Sequence, residues 1–369
     1  MRNAVIAGGV AALVATSAGA GGLDRSGQGV GIVFKEGNQF EASFGQLDST
    51  VKGTYAGGAM TSGDVAPSYT VTGFGLRTQI NEALALAVVI DQPFGADVSY
   101  PATGTFAGLV NTRASVSSSA ITALAHYRLD DGMSVLGGLK AQSASMTVAI
   151  PGGGALNYTG AGAENQSYGF VLGAAYEIPD IALRASLVYH SAVEHDFATT
   201  ESSAFTPPGQ NDTSTTKVKM PQAINLDFQT GINPSTLLTA GVRWADWTST
   251  RIAPNHYSNT LGRGALQEYS EDVYTLSVGL GRRITDALAV SATVSYEDQK
   301  GGVTGNLAPT DGYTSLALGA AYRMEAVEIS GGLRYVSIGD ATSSGGGGFQ
   351  GTFSGNSAVG VGVRVSVSF

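Results

Sequence analysis

Val359-Gly360-Val361-Gly362-Val363-Arg364-Val365-Ser366-Val367-Ser368-Phe369 ends the chain and alternates without an exception. Successive side chains of a strand point to opposite faces, so Val and Phe share one face while Gly, Arg and Ser share the other. A soluble sandwich tolerates such a strand. A wall that shows Val and Phe to lipid and Gly, Arg and Ser to a wet interior depends on it. The stretch therefore predicts an all-β fold, a transmembrane antiparallel β-barrel, with its last strand at the end of the chain.

Working outward, the same alternation returns thirteen more times. It appears near 38–45, 68–79, 84–92, 113–129, 133–149, 166–178, 181–193, 222–232, 236–247, 273–284, 287–297, 313–324 and 327–338. In one segment Tyr168, Phe170, Leu172, Ala174, Tyr176 and Ile178 share the outward face; in another Tyr274, Leu276, Val278 and Leu280 do. Six connections are short and rich in turn residues: Asn81-Glu82, Asp130-Asp131-Gly132, Pro179-Asp180, Asn233-Pro234-Ser235, Thr285-Asp286 and Glu325-Ala326. Seven are long, about 46–67, 93–112, 150–165, 194–221, 248–272, 298–312 and 339–356, and long alternates strictly with short. Outer-membrane barrels have short periplasmic turns and long external loops. The expectation is a barrel of 14 strands over residues 38–369, in the outer membrane of a Gram-negative bacterium, with both termini periplasmic. Rings near strand ends (Tyr127, Tyr176, Tyr189, Trp244, Trp247, Tyr296, Tyr322 and Tyr335) suit the two membrane interfaces.

The other end of the chain fits export. Arg2 precedes an apolar stretch from Ala4 to Thr16, and Ala18-Gly19-Ala20 matches a small-x-small cleavage site, so residues 1–20 are expected to be a signal peptide. With 52 Gly, 13% charged residues and a mean hydropathy of +0.09, the chain is apolar without an apolar helix. It has no Cys, which removes disulfides and thiolate metal sites. A net charge of −9 with no basic stripe argues against nucleic acid.

In the middle of the chain the pattern becomes specific. Lys219-Met220-Pro221-Gln222 leads into a strand, a turn at Asn233-Pro234 and then Leu238-Thr239-Ala240-Gly241-Val242-Arg243-Trp244-Ala245-Asp246-Trp247. Together with Asp311-Gly312-Tyr313, Gly331-Gly332-Leu333-Arg334-Tyr335 and the terminal Phe369, this resembles the FadL-type family of outer-membrane long-chain fatty acid transporters. The resemblance covers most of the chain from residue 21 onward. It implies a lumen plugged by an N-terminal hatch, here residues 21–37, and a third strand kinked to open the wall toward lipid. Gln92-Pro93-Phe94-Gly95 is similar to the family's kink element, and Pro93 and Gly95 break strand pairing in any case. The plug is short and lacks the Asn-Pro-Ala triplet that the family usually carries.

The resemblance implies passive uptake of a long-chain fatty acid or similar hydrophobic ligand. Its path would touch Phe34, Phe94, Phe106, Leu109, Leu156 and Tyr158 and leave laterally at Pro93, Phe94 and Gly95. Alternation turns Lys140, Arg184, Arg243 and Arg334 toward the lumen, with Glu177, Asp227 and Glu328, if Leu139, Leu183, Val242 and Leu333 face lipid. Expected partners are outer-membrane lipid and the barrel-assembly machinery, read through Phe369, for a monomer without cofactor. No metal site or catalytic group is indicated. Gly27-x-Gly29-x-Gly31 lacks the strand–helix context of a phosphate loop. His190 and His195, five apart, are expected on opposite faces of a solvated strand end, and no Ser/His/Asp arrangement with supporting context is evident. A diffusion porin for small solutes is the alternative if the short plug leaves the lumen open. A surface adhesin using the long loops is a third reading.

Overall fold

The computed structural model describes residues 22–152, 157–344 and 350–369. The expected signal peptide and Leu156 lie outside the described residues. Fourteen strands close a barrel: β1 (Gln39–Thr50), β2 (Tyr69–Gln79), β3 (Leu84–Asp91, resuming at Gly95–Ser99), β4 (Arg113–Arg128), β5 (Met133–Pro151), β6 (Asn157–Ile178), β7 (Leu183–His190, resuming at Val193–Ser203), β8 (Asp212–Met220, resuming at Ala223–Asn233), β9 (Thr236–Ala245), β10 (Val273–Arg283), β11 (Leu288–Glu297), β12 (Tyr313–Met324), β13 (Val327–Ile338) and β14 (Ser357–Ser368). Neighbours run antiparallel, and β14 seals against β1 from Gln39↔Ser368 to Thr50↔Ser357. Closure pairs each strand with a neighbour on both sides over most of its length, which lipid demands because it offers backbone groups no partner. Among the described residues no helix is long and apolar enough to cross a membrane.

The short turns all lie at one rim. The turn at Asp131-Gly132 needs two left-handed residues in succession (φ 60° and 78°), which Asp and Gly supply at little cost. Above that rim the outward face is apolar: Leu139 is 74% exposed, and Val278, Leu318 and Leu333 stand out in the same way. Tyr127, Tyr176 and Tyr322 ring the turn side. On the loop side Tyr189, Ile224, Trp244 and Tyr274 lie in one cross-strand row. Trp247 departs from expectation. It is 0% exposed and packs against Phe94, because the strand ends at Ala245 and the 3-10 turn Trp247–Ser249 carries the ring inward.

Several strands outrun their expected ends. The connections assigned to 150–165 and 194–221 are largely strand, since β5 to β8 continue well past the apolar band. There the outward face carries Glu194, Asp196 and Lys217, which pair with one another at 3.4–3.6 Å in water. The sequence pattern missed these extensions because alternation continues with Thr and Ser instead of apolar residues. His190 and His195 are both buried inside the barrel, contrary to expectation. β7 breaks at Ser191-Ala192 and β8 at Pro221-Gln222, with register kept across both (His190↔Ala223, Val193↔Met220). The shared kink moves the inward face from even to odd positions along β7, so a spacing of five returns to the same side.

Loops roof the upper end. A small sheet made of Lys52–Tyr55, Met60–Asp64, Val303–Gly305, Ala341–Ser344 and Gln350–Phe353 packs its apolar side around Tyr55, Tyr100, Tyr313 and Phe353.

Candidate functional site: a plugged lumen with a side window

Residues 22–37 run inside the barrel. Gly27 and Gln28 take positive φ and turn the segment, and the 3-10 turn Gly31–Phe34 buries Ile32, Val33 and Phe34. The wall holds this filler at several points. Arg77 of β2 donates from Nε to the Val33 carbonyl (3.1 Å) and from Nη1 to the Gly37 carbonyl. Asn225 of β8 donates to the Gly27 carbonyl (3.0 Å), and Arg243 of β9 pairs with Asp24 (2.7 Å). Lys35 pairs with Glu41 of β1. Hydrogen bonds to charged groups contribute about 1.5–3 kcal/mol each where partly buried, so the plug is fixed by its polar groups as well as by packing.

β3 is kinked by one surplus residue. Its ladder with β4 runs Asp91↔Ala120 and then Gly95↔Ser117, so Gln92, Pro93 and Phe94 face only Ser118 and Ser119. That is a β-bulge, and Pro93 has no N–H to offer a ladder. On its other side β3 pairs with β2 only from Phe74↔Ile90 to Gln79↔Ala85. Past Phe74 the two strands part, leaving Tyr69 to Gly73 and Asp91 to Asp97 as the jambs of a window. The Ser99 N–H, bonded to the Val65 carbonyl (2.9 Å), closes its upper edge.

The plug occupies the place that β2 vacates. The Arg25 N–H donates to the Pro93 carbonyl (2.9 Å), the Gly95 N–H donates to the Leu23 carbonyl (2.7 Å), and Asp24 and Phe94 form an antiparallel bridge. Arg25 then reaches across the opening, 2.6 Å from Asp97 and 4.3 Å from the centre of the Tyr69 ring. A Cβ at residue 95 would sit 2.6 Å from Arg25 Nε, so glycine there lets the plug approach. Lower in the window the Thr72 N–H donates to Gln92 Oε1 (3.2 Å).

Two cavities meet at residues 23–26. Above them lies an apolar pocket of about 50 Å³, walled by Leu23, Ala96, Val116, Met146, Ile252 and Leu266 among others, with no charged side chain. Below lies a cavity of about 840 Å³ that reaches the window at Val71 to Phe74 and Ile90 to Gln92 and the turn rim at Arg128 and Gly132. Its lining is highly charged, including Asp24, Asp91, Glu177, Arg184, Asp227 and Arg243. The partition between them is apolar above and ionic below. Phe94 meets Trp247 edge-on at 5.6 Å, and Tyr269 of the roof packs on Trp247 at 5.0 Å. Burial, and then the Asp24 charge, push the Tyr269 phenol well above its ordinary pKa.

The structure separates the residues singled out by sequence. Phe94 is buried in the partition beside the pocket. Phe34 lines the lower cavity, with the Arg184 guanidinium 4.7 Å from its ring centre. Phe106 stacks on Tyr55 (4.3 Å) and, with Leu109, joins the roof cluster rather than the pocket. Tyr158 is fully buried and donates to Glu201 (2.9 Å), two residues from pocket-lining Gly160. Arg184, Arg243 and Arg334 line the lower cavity. Lys140 is buried, and its ammonium has no hydrogen-bond partner among the described residues. Leu183 borders the lower cavity near the rim. Leu23, Arg25, Tyr69 and Asp97 escaped sequence reading. Among the described residues no group of three or more His, Cys, Asp or Glu is placed to hold a metal ion.

A closed β-barrel with an apolar outer band, a filled lumen and a gap in its wall is the architecture of an outer-membrane protein. The chain belongs to the family of outer membrane transport proteins (OMPP1/FadL/TodX), whose model matches residues 4–369. It is similar to a *Pseudomonas aeruginosa* FadL homologue (16% identity, TM-score 0.75, 92% of each chain covered). It also resembles the *Pseudomonas putida* toluene transporter TodX (12%, TM-score 0.63, 95% of this chain and 96% of that one). The *Ralstonia pickettii* toluene transporter TbuX is similar too (13%, TM-score 0.63, 91% and 90%). No curated protein sequence matches the chain significantly.

Proposed function

We propose that the barrel carries hydrophobic small molecules, long-chain fatty acids or compact hydrocarbons, passively across the outer membrane and releases them through the β2–β3 window. A ligand would settle in the apolar pocket beneath the loops. It would displace residues 23–25 from β3 and leave between Tyr69 to Gly73 and Asp91 to Asp97. The observation that carries this reading is the plug strand seated on the kink, because the same residues divide the two cavities and fill the window. In this reading both termini lie in the periplasm and Phe369 marks the chain for the assembly machinery. The charge-free pocket favours an uncharged molecule over a carboxylate, since a buried anion without a partner is costly. The toluene transporters among the similar structures agree with that preference. A simple porin is disfavoured, because the plug is bonded to β1, β2, β3, β8 and β9.

Deleting Pro93 tests the proposal. It removes the surplus residue, restores alternation from Asp91 through Ala96, and should let β3 pair continuously. In cells that rely on this protein, uptake of labelled toluene and of labelled oleate should fall at least tenfold with the barrel still folded. Undiminished uptake of both would exclude the window as the exit.

A further inference from the structure

At the loop end, above the apolar pocket, β6, β7 and β8 gather a polar cluster that transport does not use. Glu201 of β7 is 1% exposed and accepts hydrogen bonds from Tyr158 Oη (2.9 Å), Ser214 Oγ (3.3 Å) and the backbone N–H groups of His256 and Tyr257 (both 3.0 Å). It thereby fixes the start of the one-turn π-helix His256–Thr260. The buried His256 ring lands between two groups of the β7–β8 hairpin. Ser203 Oγ is 2.8 Å from Nε2, and the Asp212 carboxylate makes a close ion-pair contact with Nδ1, though not a straight hydrogen bond. A hydroxyl, an imidazole and a carboxylate thus meet through the two ring nitrogens in the order that acyl transfer uses. The three lie at 203, 212 and 256, so no sequence spacing announces them.

From this geometry we infer that the loop end carries a serine acyl-transfer site that hydrolyses uncharged esters. Ser203 is the nucleophile, His256 its base, and Asp212 a positioning residue. Asp212 favours the N–H at Nδ1, which leaves the Nε2 lone pair to take the Ser203 proton. Oγ attacks the ester carbonyl as Nε2 accepts its proton. The C–O bond of the ester then breaks, and the alcohol leaves with that proton. Water attacks the acyl-serine, gives its proton to Nε2, and the acid departs as Ser203 regains a hydrogen. The Phe205 N–H donates to Oγ itself (3.1 Å), which holds the hydroxyl in place beside the imidazole. Phe205 itself is 65% exposed, an apolar surface beside the nucleophile for the ester's hydrocarbon. Ile252 and Pro254 of the His256 loop, and Thr199 of β7, line the pocket below, so the apolar product would be released at its mouth.

The test uses the purified, folded barrel in detergent micelles, with 4-nitrophenyl butyrate as ester and a fluorophosphonate as covalent label. Nitrophenolate release above the micelle blank and one label on Ser203 are expected. Ser203→Ala should abolish hydrolysis and labelling, while Ser202→Ala keeps both. Asp212→Asn, at a half-exposed side chain that bonds no backbone, should slow labelling at least tenfold in a barrel that folds normally. No label and no nitrophenolate from the folded protein would overturn the inference. So would a labelling rate that survives Asp212→Asn. None of these outcomes depends on the transport proposal.

Discussion

The β14–β1 seam and the β2–β3 seam come from the same kind of alternating sequence, yet one is sealed and the other is open. Twelve residue pairs close the first, and six pairs start the second before it stops. Composition does not separate them: Phe74, Leu76, Val88 and Ile90 are as apolar as Phe44, Val361 and Val363. One extra residue does, because the bulge at Pro93 turns the edge of β3 away from β2 and toward the lumen. The wall tolerates this because the plug supplies the missing backbone partners. The comparison teaches that barrel continuity is a property of register, while lipid compatibility is a property of the outward face.

The largest effect that would sharpen the comparison tests that second property. Val363→Arg, outward in the sealed seam, should cost about 2–4 kcal/mol, whereas Thr72→Arg at the window should cost under about 1 kcal/mol. Urea unfolding in lipid vesicles reads both, and equal losses would mean that the window is no wetter than the seam. Next in size, loss of Pro93 should reduce uptake at least tenfold, as argued above. Removing Phe369 should lower the outer-membrane level several-fold while leaving uptake per inserted molecule unchanged. Normal levels of the truncated chain would refute a role in assembly. The smallest effect concerns the bar across the opening. Arg25→Ala breaks the contacts to Asp97 and Tyr69 but keeps both backbone bonds to β3. Leak of a hydrophobic dye should rise about two- to threefold, since an ion pair with its arginine buried and its carboxylate half-buried contributes about 0.5 kcal/mol or somewhat more. An unchanged leak would confine the barrier to the backbone.

The barrel was legible because lipid imposes a period of two on every strand and the turns punctuate it. The closing strand, the strand number and the loop order all follow from that single constraint. Legibility failed wherever the period slipped. His190 and His195 were set on opposite faces because the break at Ser191-Ala192 leaves no trace in residue type. Trp247 was set at the interface because rings were read by their position near a strand end, whereas the strand stops at Ala245 and a 3-10 turn carries the ring inward. The lumen was harder still. Asp24 meets Arg243 and Arg25 meets Asp97 across 219 and 72 residues, and local pattern carries no record of such pairs. The kink itself was visible at Pro93 and Gly95. Its partner strand was not, since Leu23-Asp24-Arg25 has no alternation of its own to betray it.

The bulge in β3 amounts to one codon. A sealed wall and a windowed wall are therefore neighbours in sequence space, a single in-frame insertion apart, provided that some lumenal segment can lend its backbone to the orphaned edge. β7 and β8 show the counterpart, in which both strands bend together and the seam stays shut. Relocating the opening to another seam would take one inserted residue and a redirected plug, leaving the outer surface that lipid inspects untouched. Lineages that share this scaffold have a short mutational route to doors in new places.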